Sequence, residues 1–266
     1  MAEIFGLDAY APKEIAARVS EVGVRKARLP LLTLMLLGVL AGTFIGLGAL
    51  MFTLVASDTT LGFAASRLLG GLAFSLGLIL VTVAGAELFT GNNLLAMAWA
   101  SRRVSTREVL VNWALVCVAN FVGAVGLAVL VWLSGHAALN DGAVGRAAIR
   151  IATVKSQLPW IELFFRGVLC NVLVCMAVWM ALAGRSVTDK VLAVVFPITA
   201  FVAAGFEHSI ANLYFFALAL LLGAPLALGD MLRNLLPVIA GNIVGGSVLV
   251  ALVYWVIYLR PGAASQ

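Results

Sequence analysis

Three side chains that could do chemistry lie inside long apolar segments of this chain: Glu87, Glu207 and His208. If those segments cross a bilayer, each ionisable group costs about 2.5–3.5 kcal/mol to insert and marks a functional site by default. A histidine can take up or release a proton near neutral pH, and beside a helix break its ring can face a pore. The three residues therefore predict a polar site in the middle of a membrane protein.

The composition supports a location in the membrane. Of the 266 residues, 63% are hydrophobic and 11% are charged, whereas a soluble domain has about 25% charged residues. The mean hydropathy is +1.11, and a water-soluble globule is excluded. The short alternating segments of an outer-membrane barrel are absent, so we expect α-helices to span the bilayer. In such a protein the net charge of +5 sets orientation, and nucleic acid is not an expected partner.

Six apolar stretches are long enough to cross a membrane, at about 31–56, 64–99, 109–134, 160–184, 188–222 and 232–259. The helical pattern at 11–29 predicts either a helix along the membrane surface or a solvated helix that leads into the first span. Eleven of the 17 Lys and Arg residues fall on the side of the chain ends, and this excess predicts that both termini are cytoplasmic. The predicted parts are a cytoplasmic amphipathic N-terminal segment (1–30), a single transmembrane domain (31–260) and a cytoplasmic tail (261–266).

A duplicated unit is visible in the sequence. The pieces GAELFTGN and GFEHSIAN match at a spacing of 120 residues, and NWALVCVANFVG and NLLPVIAGNIVG match at a spacing of 122. An odd number of spans in each unit predicts an inverted repeat, the architecture of channels and secondary transporters. Spans two and five are too long, at about 35 residues against the ~20 that a crossing needs, so we expect both to be broken. The predicted supports of the breaks are Glu87, Asn92, Pro197 and Gly205.

His208 has Leu88 as its counterpart in the repeat, so the duplication does not account for it. We expect it to lie within reach of Thr90 and to form the centre of a pore. Phenylalanine and leucine side chains around the breaks would make constrictions that stop hydrated ions. Proton transfer to a small anion would remove the cost of dehydrating its charge. An anion from the outer side would pass Phe201 and Leu88 before it reaches His208. Lys155 either attracts anions to this side or is a solvated surface lysine.

Several pieces of the chain resemble one known family. AELFTGN, GRSVTDK, GFEHSIAN and GNIVGG with YWVIYLR are similar to segments of the formate/nitrite transporter family, which includes hydrosulfide channels. The resemblance extends from about residue 11 to residue 260. It implies an all-α integral membrane protein with six transmembrane helices, an aquaporin-like inverted 3+3 repeat and broken helices two and five. It also implies a homopentamer in which each protomer has its own pore.

The resemblance assigns roles to single residues. The central pore histidine of the family falls on His208, and its partner threonine falls on Thr90. The asparagines of the family fall on Asn171 and Asn212, and its vestibule lysine falls on Lys155. Glu207 joins these substrate-pore positions because it is an ionisable residue at the break. The constriction positions are Phe74, Leu78, Leu88, Phe89, Val174, Phe201 and, alongside them, Ala211.

These observations predict a channel or transporter for small monovalent anions, with proton-coupled passage through His208. Formate is the favoured substrate, and nitrite and hydrosulfide are the alternatives. The expected partners are the anion, protons, membrane lipid and further copies of the chain, in the bacterial cytoplasmic (inner) membrane. The sequence contains no cofactor motif and no metal-ligand spacing, and we expect no enzyme activity.

Other classes of protein fit the sequence less well. An aquaporin would carry Asn-Pro-Ala, which does not occur, and an ammonium channel would need a second pore histidine, whereas His136 lies in a polar loop. An intramembrane protease using Glu207 and His208 is a remote alternative, because zinc ligands such as His-Glu-x-x-His are absent. A purely structural membrane protein would not need polar breaks inside an inverted repeat.

Overall fold

The computed structural model describes residues 9–260, so the first eight residues of the predicted N-terminal segment and the whole predicted tail lie outside the described residues. The described part is helical. Its α-helices are α1 (Pro12–Ala27), α2 (Leu31–Ala56), α3 (Phe63–Ile79), α4 (Leu95–Ala100), α5 (Thr106–Leu133), α6 (Ala143–Ser156), α7 (Trp160–Ala183), α8 (Val187–Ala204), α9 (Ser209–Leu221), α10 (Leu228–Ile243) and α11 (Val253–Tyr258). Two π-helical stretches, Leu80–Gly85 and Val244–Leu252, extend α3 and α10, and the 3-10 helix Gly91–Leu94 precedes α4.

Six of these helical segments are long and apolar enough to cross a bilayer, which confirms the predicted number of spans. Large apolar side chains cover the outside of the molecule: Phe63 and Phe196, for example, are 83% and 72% exposed. Polar residues such as Asn120, Asn171 and Asn242 are fully buried instead. This distribution suits a protein whose outer surface faces lipid tails. The spans are Leu31–Ala56, Phe63–Gly85, Thr106–Leu133, Trp160–Ala183, Val187–Ala204 and Leu228–Tyr258.

Equivalent helices of the two repeats pack in the same way. In the first copy α2 lies so close to α5 that a Cβ atom on Gly123 would fall 1.9 Å from the carbonyl oxygen of Val39. In the second copy α7 lies against α10 and its π-helical extension, where a Cβ on Gly245 would fall 2.2 Å from the carbonyl oxygen of Val168. Backbone contact of this kind requires glycine and is typical of helix pairs in membranes. The duplicated sequence therefore corresponds to a duplicated helix packing.

Both predicted breaks are present. The helical structure of span two ends at Gly85 and resumes at Gly91, and that of span five ends at Ala204 and resumes at Ser209. Gly85 and Gly205 have φ values of +86° and +78°, which an L side chain rarely adopts. Both helices end in the same motif, because the residue after each glycine donates its N–H to a carbonyl five residues earlier: Ala86 to Val81 and Phe206 to Phe201.

Pro197 is not part of the break, which corrects the prediction made from its helix-breaking character. It is buried inside α8, eight residues before Gly205. A proline removes one N–H donor and crowds the preceding turn, and α8 continues through it. The hydroxyl of Ser75 on α3 donates to the carbonyl of Val195 at this level of the helix. The left-handed glycine, and not the proline, therefore ends the helix.

The helix at 12–27 packs against the spans. Ile15, Ala16 and Val19 form its buried face, and they belong to an apolar cluster with residues of α4, α7 and the π-helical stretch of the last span. Its last turn carries Lys26, which faces the interior of the protein. The sequence pattern predicted the amphipathic helix but assigned its apolar face to lipid, whereas in the structure this face packs on protein.

Candidate functional site

Two cavities of similar size approach the middle of the molecule. The Glu87 vestibule has a volume of about 360 Å³ and is walled by α1, the end of the second span and parts of α7 and α8. The Glu207 vestibule has a volume of about 350 Å³ and is walled by parts of α2, α3, α6 and α7 and by the break in span five. Because the wall segments lie at opposite ends of the spans in the six-span order, the two vestibules belong to opposite sides of the membrane.

Buried side chains separate the two vestibules. Phe74, Phe201, His208 and Ala211 line the Glu207 vestibule, and the rings of Phe74 and Phe201 meet edge to face with their centroids 5.6 Å apart. Leu78 and Leu88 line the Glu87 vestibule instead. All six are at most 3% exposed. The barrier between the vestibules is therefore a layer of phenylalanine on one side and a layer of leucine on the other.

Two of the residues expected along the path, Phe201 and His208, line the Glu207 vestibule, and the third, Leu88, lines the Glu87 vestibule. His208 and Leu88 hold equivalent positions in the two copies of the repeat. The expected passage of an anion past Phe201 and Leu88 to His208 stays a prediction.

His208 contacts Thr90 across the two breaks. Its Nε2 lies 3.1 Å from the Thr90 hydroxyl oxygen, and its Nδ1 accepts a hydrogen bond of 3.2 Å from the N–H of Ala211 at the start of α9. Because Nδ1 is an acceptor, the ring is the neutral tautomer with its proton on Nε2. Nε2–H therefore donates to Thr90, whose own hydroxyl proton remains available to a third group.

Glu207 lies in a buried polar cluster in the second copy. Its carboxylate accepts from Lys155 Nζ at 2.8 Å and from Asn212 Nδ2 at 2.6 Å. Asn212 also donates to Asn234, which in turn donates to the carbonyl of Lys155. The side chain of Lys155 is only 15% exposed. Of the two interpretations of Lys155, the structure excludes the solvated surface lysine.

The first copy contains the same cluster, with a lysine that the sequence reasoning did not assign. Glu87 accepts from Lys26 Nζ at 2.8 Å and from Asn92 Nδ2 at 2.8 Å. Asn92 also donates to Asn112, which donates to the carbonyl of Lys26. A signal for this lysine exists in the sequence, because Lys26, Pro30 and Gly38 precede Lys155, Pro159 and Gly167 by 129 residues in each case.

Two asparagines hold the broken segments in place. Asn120 accepts from the N–H of Phe89 and donates to the carbonyls of Gly38 and Glu87. Asn242 makes the equivalent bonds, accepting from Ser209 and donating to Gly167 and Glu207. Both asparagines lie in the repeated pieces NWALVCVANFVG and NLLPVIAGNIVG, but the sequence analysis did not include them among the supports of the breaks. In the structure, the glutamate carboxylates bond to lysine and asparagine side chains, and Asn120 and Asn242 bond to the loop backbone.

Three other predicted site residues are buried and line neither vestibule: Asn171, Phe89 and Val174. Asn171 is fully buried, and its amide group lies 3.2 Å from the Thr90 carbonyl and 2.6 Å from the Asn242 carbonyl. It therefore links the break in span two to α10. Phe89 and Val174 are two of the predicted constriction residues. Within residues 9–260, no group of three His, Cys, Asp or Glu side chains could hold a metal ion.

Comparisons with known proteins agree with this geometry. The sequence profile of the formate/nitrite transporter family matches residues 13–256. The formate channel FocA of Escherichia coli (strain K12) is 38% identical over 95% of this chain and 96% of its own length. The formate channel FocB of the same organism is 36% identical over 92% and 94%.

Two solved structures have the same fold. A chain described as an FNT family ion channel superposes with a TM-score of 0.84 at 31% identity, covering 91% of this chain and 98% of that chain. A pentameric formate channel with formate bound gives a TM-score of 0.78 at 36% identity, covering 86% and 98%. The aquaporin-like inverted repeat is thereby confirmed, and so is the expectation of a transport protein rather than an enzyme. This multi-pass membrane protein belongs to the formate/nitrite transporter family.

Proposed function

We propose that this protein is a channel for small monovalent anions, that formate is its substrate, and that passage is coupled to protons at His208. One observation carries the proposal: the His208–Thr90 pair is a buried polar contact in the layer of Phe and Leu side chains that separates the two vestibules. Relatives named as formate channels, and a neighbour that has formate bound, support the choice of substrate.

Each polar residue has a role in this proposal. Lys155 places a positive charge in the Glu207 vestibule, and Glu207 and Asn212 hold its ammonium group and the start of α9 in place. Thr90 can donate its hydroxyl proton to the anion, and Asn171 fixes the carbonyl of Thr90. The N-terminal end of α9 beside His208 adds a favourable partial positive charge.

Protons enter the proposal because a dehydrated anion is costly in an apolar gap. Phe74 and Phe201 on one side, and Leu78 and Leu88 on the other, exclude the water that would solvate it. Protonation turns formate into a neutral acid for which this cost disappears. For His208 to supply the proton it must first take one up at Nδ1, and the bond from the N–H of Ala211 must then break. The alternative source is water in the vestibule.

Liposome experiments test the channel and the histidine together. Purified protein, whose mass should correspond to five copies by native mass spectrometry, is placed in vesicles, and formate uptake is followed from pH 5 to pH 8. We expect uptake above that of empty vesicles, increasing as the pH falls. Uptake no faster than in empty vesicles would refute the channel.

Two variants separate the roles of the imidazole. His208→Phe removes both hydrogen bonding and titration, whereas His208→Gln retains an N–H donor near the position of Nε2 but cannot titrate. If the proton passes through the ring, both variants lose the pH dependence of uptake. A wild-type pH profile in His208→Gln would refute proton passage through His208 and leave the channel proposal intact.

The substrate alternatives are tested in the same vesicles. Nitrite and hydrosulfide are monovalent anions of similar size, and the polar contacts of His208 and Thr90 do not discriminate among the three. With formate as the preferred substrate, a large excess of either other anion should reduce formate uptake less than an equal excess of unlabelled formate does. The reverse order would make nitrite or hydrosulfide the better candidate.

The assembly and placement follow from the same likeness. We propose a homopentamer with one pore per protomer in the bacterial inner membrane, in analogy with the pentameric neighbour. Residues 31–260 form the transmembrane domain, and residues 1–30 and 261–266 are cytoplasmic. The excess of basic residues on the side of the chain ends supports this orientation. The Glu87 vestibule then opens to the cytoplasm and the Glu207 vestibule to the outside.

A further inference from the structure

Arg67 is one of three arginines of the Glu207 vestibule that have no role in the scheme above. Arg67 lies on α3, and its half-buried side chain crosses to the end of α8, where Nη2 donates to the carbonyl of Val202 at 2.7 Å and Nε donates to the carbonyl of Ala203 at 3.0 Å. Val202 and Ala203, which carry these carbonyls, directly follow Phe201 in the chain. The guanidinium group therefore lies one residue from the constriction and lines the same vestibule as His208.

The charge of Arg67 is not cancelled by an ion pair within the part of the chain that the structure describes. The neighbouring basic side chains differ in this respect, because Lys155 pairs with Glu207 and Arg166 pairs with Glu162. Arg150, the other cation on the wall, is exposed and donates to the carbonyl of Ala56. Arg67 is thus a partly buried cation beside the proposed path that forms no ion pair in the described residues, and Glu207, the carboxylate whose charge acts on it, is paired with Lys155.

The position of Arg67 matters because of the direction of α8. The C-terminal end of a helix carries a partial negative charge of roughly half an elementary unit. The end of α8 lies at Gly205, on the wall of the Glu207 vestibule, where it would repel an approaching anion. The guanidinium group donates to two of the last carbonyls and sets a full positive charge beside this partial negative charge.

We propose that Arg67 determines the charge selectivity of the Glu207 vestibule: it masks the negative end of α8 and lowers the energy of a small monovalent anion at the Phe201 constriction. This inference rests on the proposed anion channel. It assigns to Arg67 an electrostatic role that is separable from holding α8, since a structural bond does not depend on ionic strength whereas the attraction of a mobile anion is screened by salt.

The experiment compares Arg67→Gln with Arg67→Lys and with Arg233→Gln, an exposed arginine of α10 that does not line the vestibule. Formate uptake is measured at low formate concentration, at ionic strengths of about 0.01 M and about 1 M, where the Debye lengths are about 30 Å and about 3 Å. We expect Arg67→Gln to lower uptake about three- to tenfold at low ionic strength and much less at high ionic strength. Arg67→Lys and Arg233→Gln should stay close to wild type at both.

A cysteine variant allows the charge at position 67 to be changed after the protein has folded. Arg67→Cys is folded, placed in vesicles and then treated with a methanethiosulfonate reagent that carries either an ammonium or a sulfonate group. The ammonium reagent should restore uptake, and the sulfonate reagent should depress it further. The wild-type chain treated in parallel controls for Cys117, Cys170 and Cys175, which are partly or fully buried.

The outcomes separate the inference from the proposal on which it rests. If wild-type vesicles take up no formate, the channel proposal fails, and this inference fails with it. If wild type is active but the loss in Arg67→Gln is absent or equal at both ionic strengths, or if both reagents act alike, the inference alone is overturned. Failure of both neutral variants to give folded protein would assign Arg67 to folding and overturn it as well.

Discussion

The backbone of α9 sets the protonation of the His208 ring. The N–H of Ala211 is one of the first donors of the helix, which has no intrahelical acceptor, and it bonds to Nδ1. This bond leaves the proton of the neutral ring on Nε2, directed at Thr90. The same histidine therefore caps a helix and donates into the centre of the molecule. A proton can reach Nδ1 only if this hydrogen bond breaks.

Thr90 is the residue whose replacement tests this arrangement most directly. Thr90→Val keeps the shape but removes the acceptor of Nε2–H, and an unsatisfied buried donor costs about 1–3 kcal/mol. We expect lower thermal stability and at least a tenfold loss of formate uptake, because the hydroxyl donor to the anion is also lost. Thr90→Ser should retain most of the uptake.

Thr53→Val is the matched control for Thr90→Val. The hydroxyl of Thr53 is also fully buried but bonds only to the carbonyl of Ala49 in its own helix. We expect uptake close to wild type for this variant. Comparable losses of uptake in Thr53→Val and Thr90→Val would show that the loss in Thr90→Val comes from general destabilisation and not from the site.

Some of these residues were predictable because they are polar residues inside apolar segments. Glu87, Glu207 and His208 are ionisable residues within predicted spans, and the repeat indicated that Thr90 lies within reach of the histidine. The partners were harder to find, because Lys26 belongs to a polar helix in which a basic residue is ordinary. The hydrogen bonds of Asn120 and Asn242 depend on how closely the helices approach, and the sequence does not state that distance.

At the scale of the elements, two glycines end the half-helices in the same geometry. Gly85 and Gly205 have positive φ, and the following residue closes the last turn of each helix. The surroundings differ, however. A Cβ on Gly85 would meet no atom within 4 Å, whereas a Cβ on Gly205 would lie 3.0 Å from Nη2 of Arg67.

Alanine at the two glycines should therefore have unequal effects. The left-handed backbone alone costs an L residue about 1–2 kcal/mol, so Gly85→Ala should destabilise by about that amount. Gly205→Ala adds the contact with Arg67 and should lower the thermal unfolding midpoint in detergent further. Gly126→Ala, an exposed position in α5 with nothing within 4 Å, should leave the midpoint unchanged or raise it. Equal midpoints for all three variants would contradict the backbone argument.

The length and polarity of spans two and five were enough to predict both breaks, but the exact residues were not all predictable. Gly205 was identified correctly as part of the break, whereas Pro197 was not part of it. Whether a helix continues through a proline depends on what contacts the disturbed turn, and here α3 packs against it with Ser75. A sequence pattern does not contain that tertiary contact. The same limit applies to α1, whose apolar face was expected to meet lipid and meets protein instead.

At the scale of the whole molecule, the repeated unit is larger than the three spans that the sequence indicated. Each copy begins with a helix whose lysine forms an ion pair with the glutamate of the break: Lys26 of α1 pairs with Glu87, and Lys155 of α6 pairs with Glu207. The spacing of 129 residues at the start of the units differs from 120 at the breaks, so the connections have changed length and hide the correspondence. Each vestibule thus contains one complete lysine–glutamate–asparagine cluster of its own copy.

The two clusters should therefore behave as separate energetic units. Both glutamates are at most 5% exposed, and removal of one partner of a buried pair costs about 3–5 kcal/mol, somewhat less where the lysine is partly exposed. We expect Lys26→Met and Glu87→Gln to be strongly non-additive in the free energy of unfolding, with a coupling of about 1–3 kcal/mol. Lys155→Met and Glu207→Gln should show the same non-additivity.

Lys26→Met combined with Glu207→Gln should be additive within about 0.5 kcal/mol, because these groups lie in opposite vestibules and share no partner. Denaturation in detergent of the single and paired variants measures these couplings. Coupling across the copies as large as coupling within them would refute the separation and would indicate instead that the two breaks unfold as one polar network through Asn171.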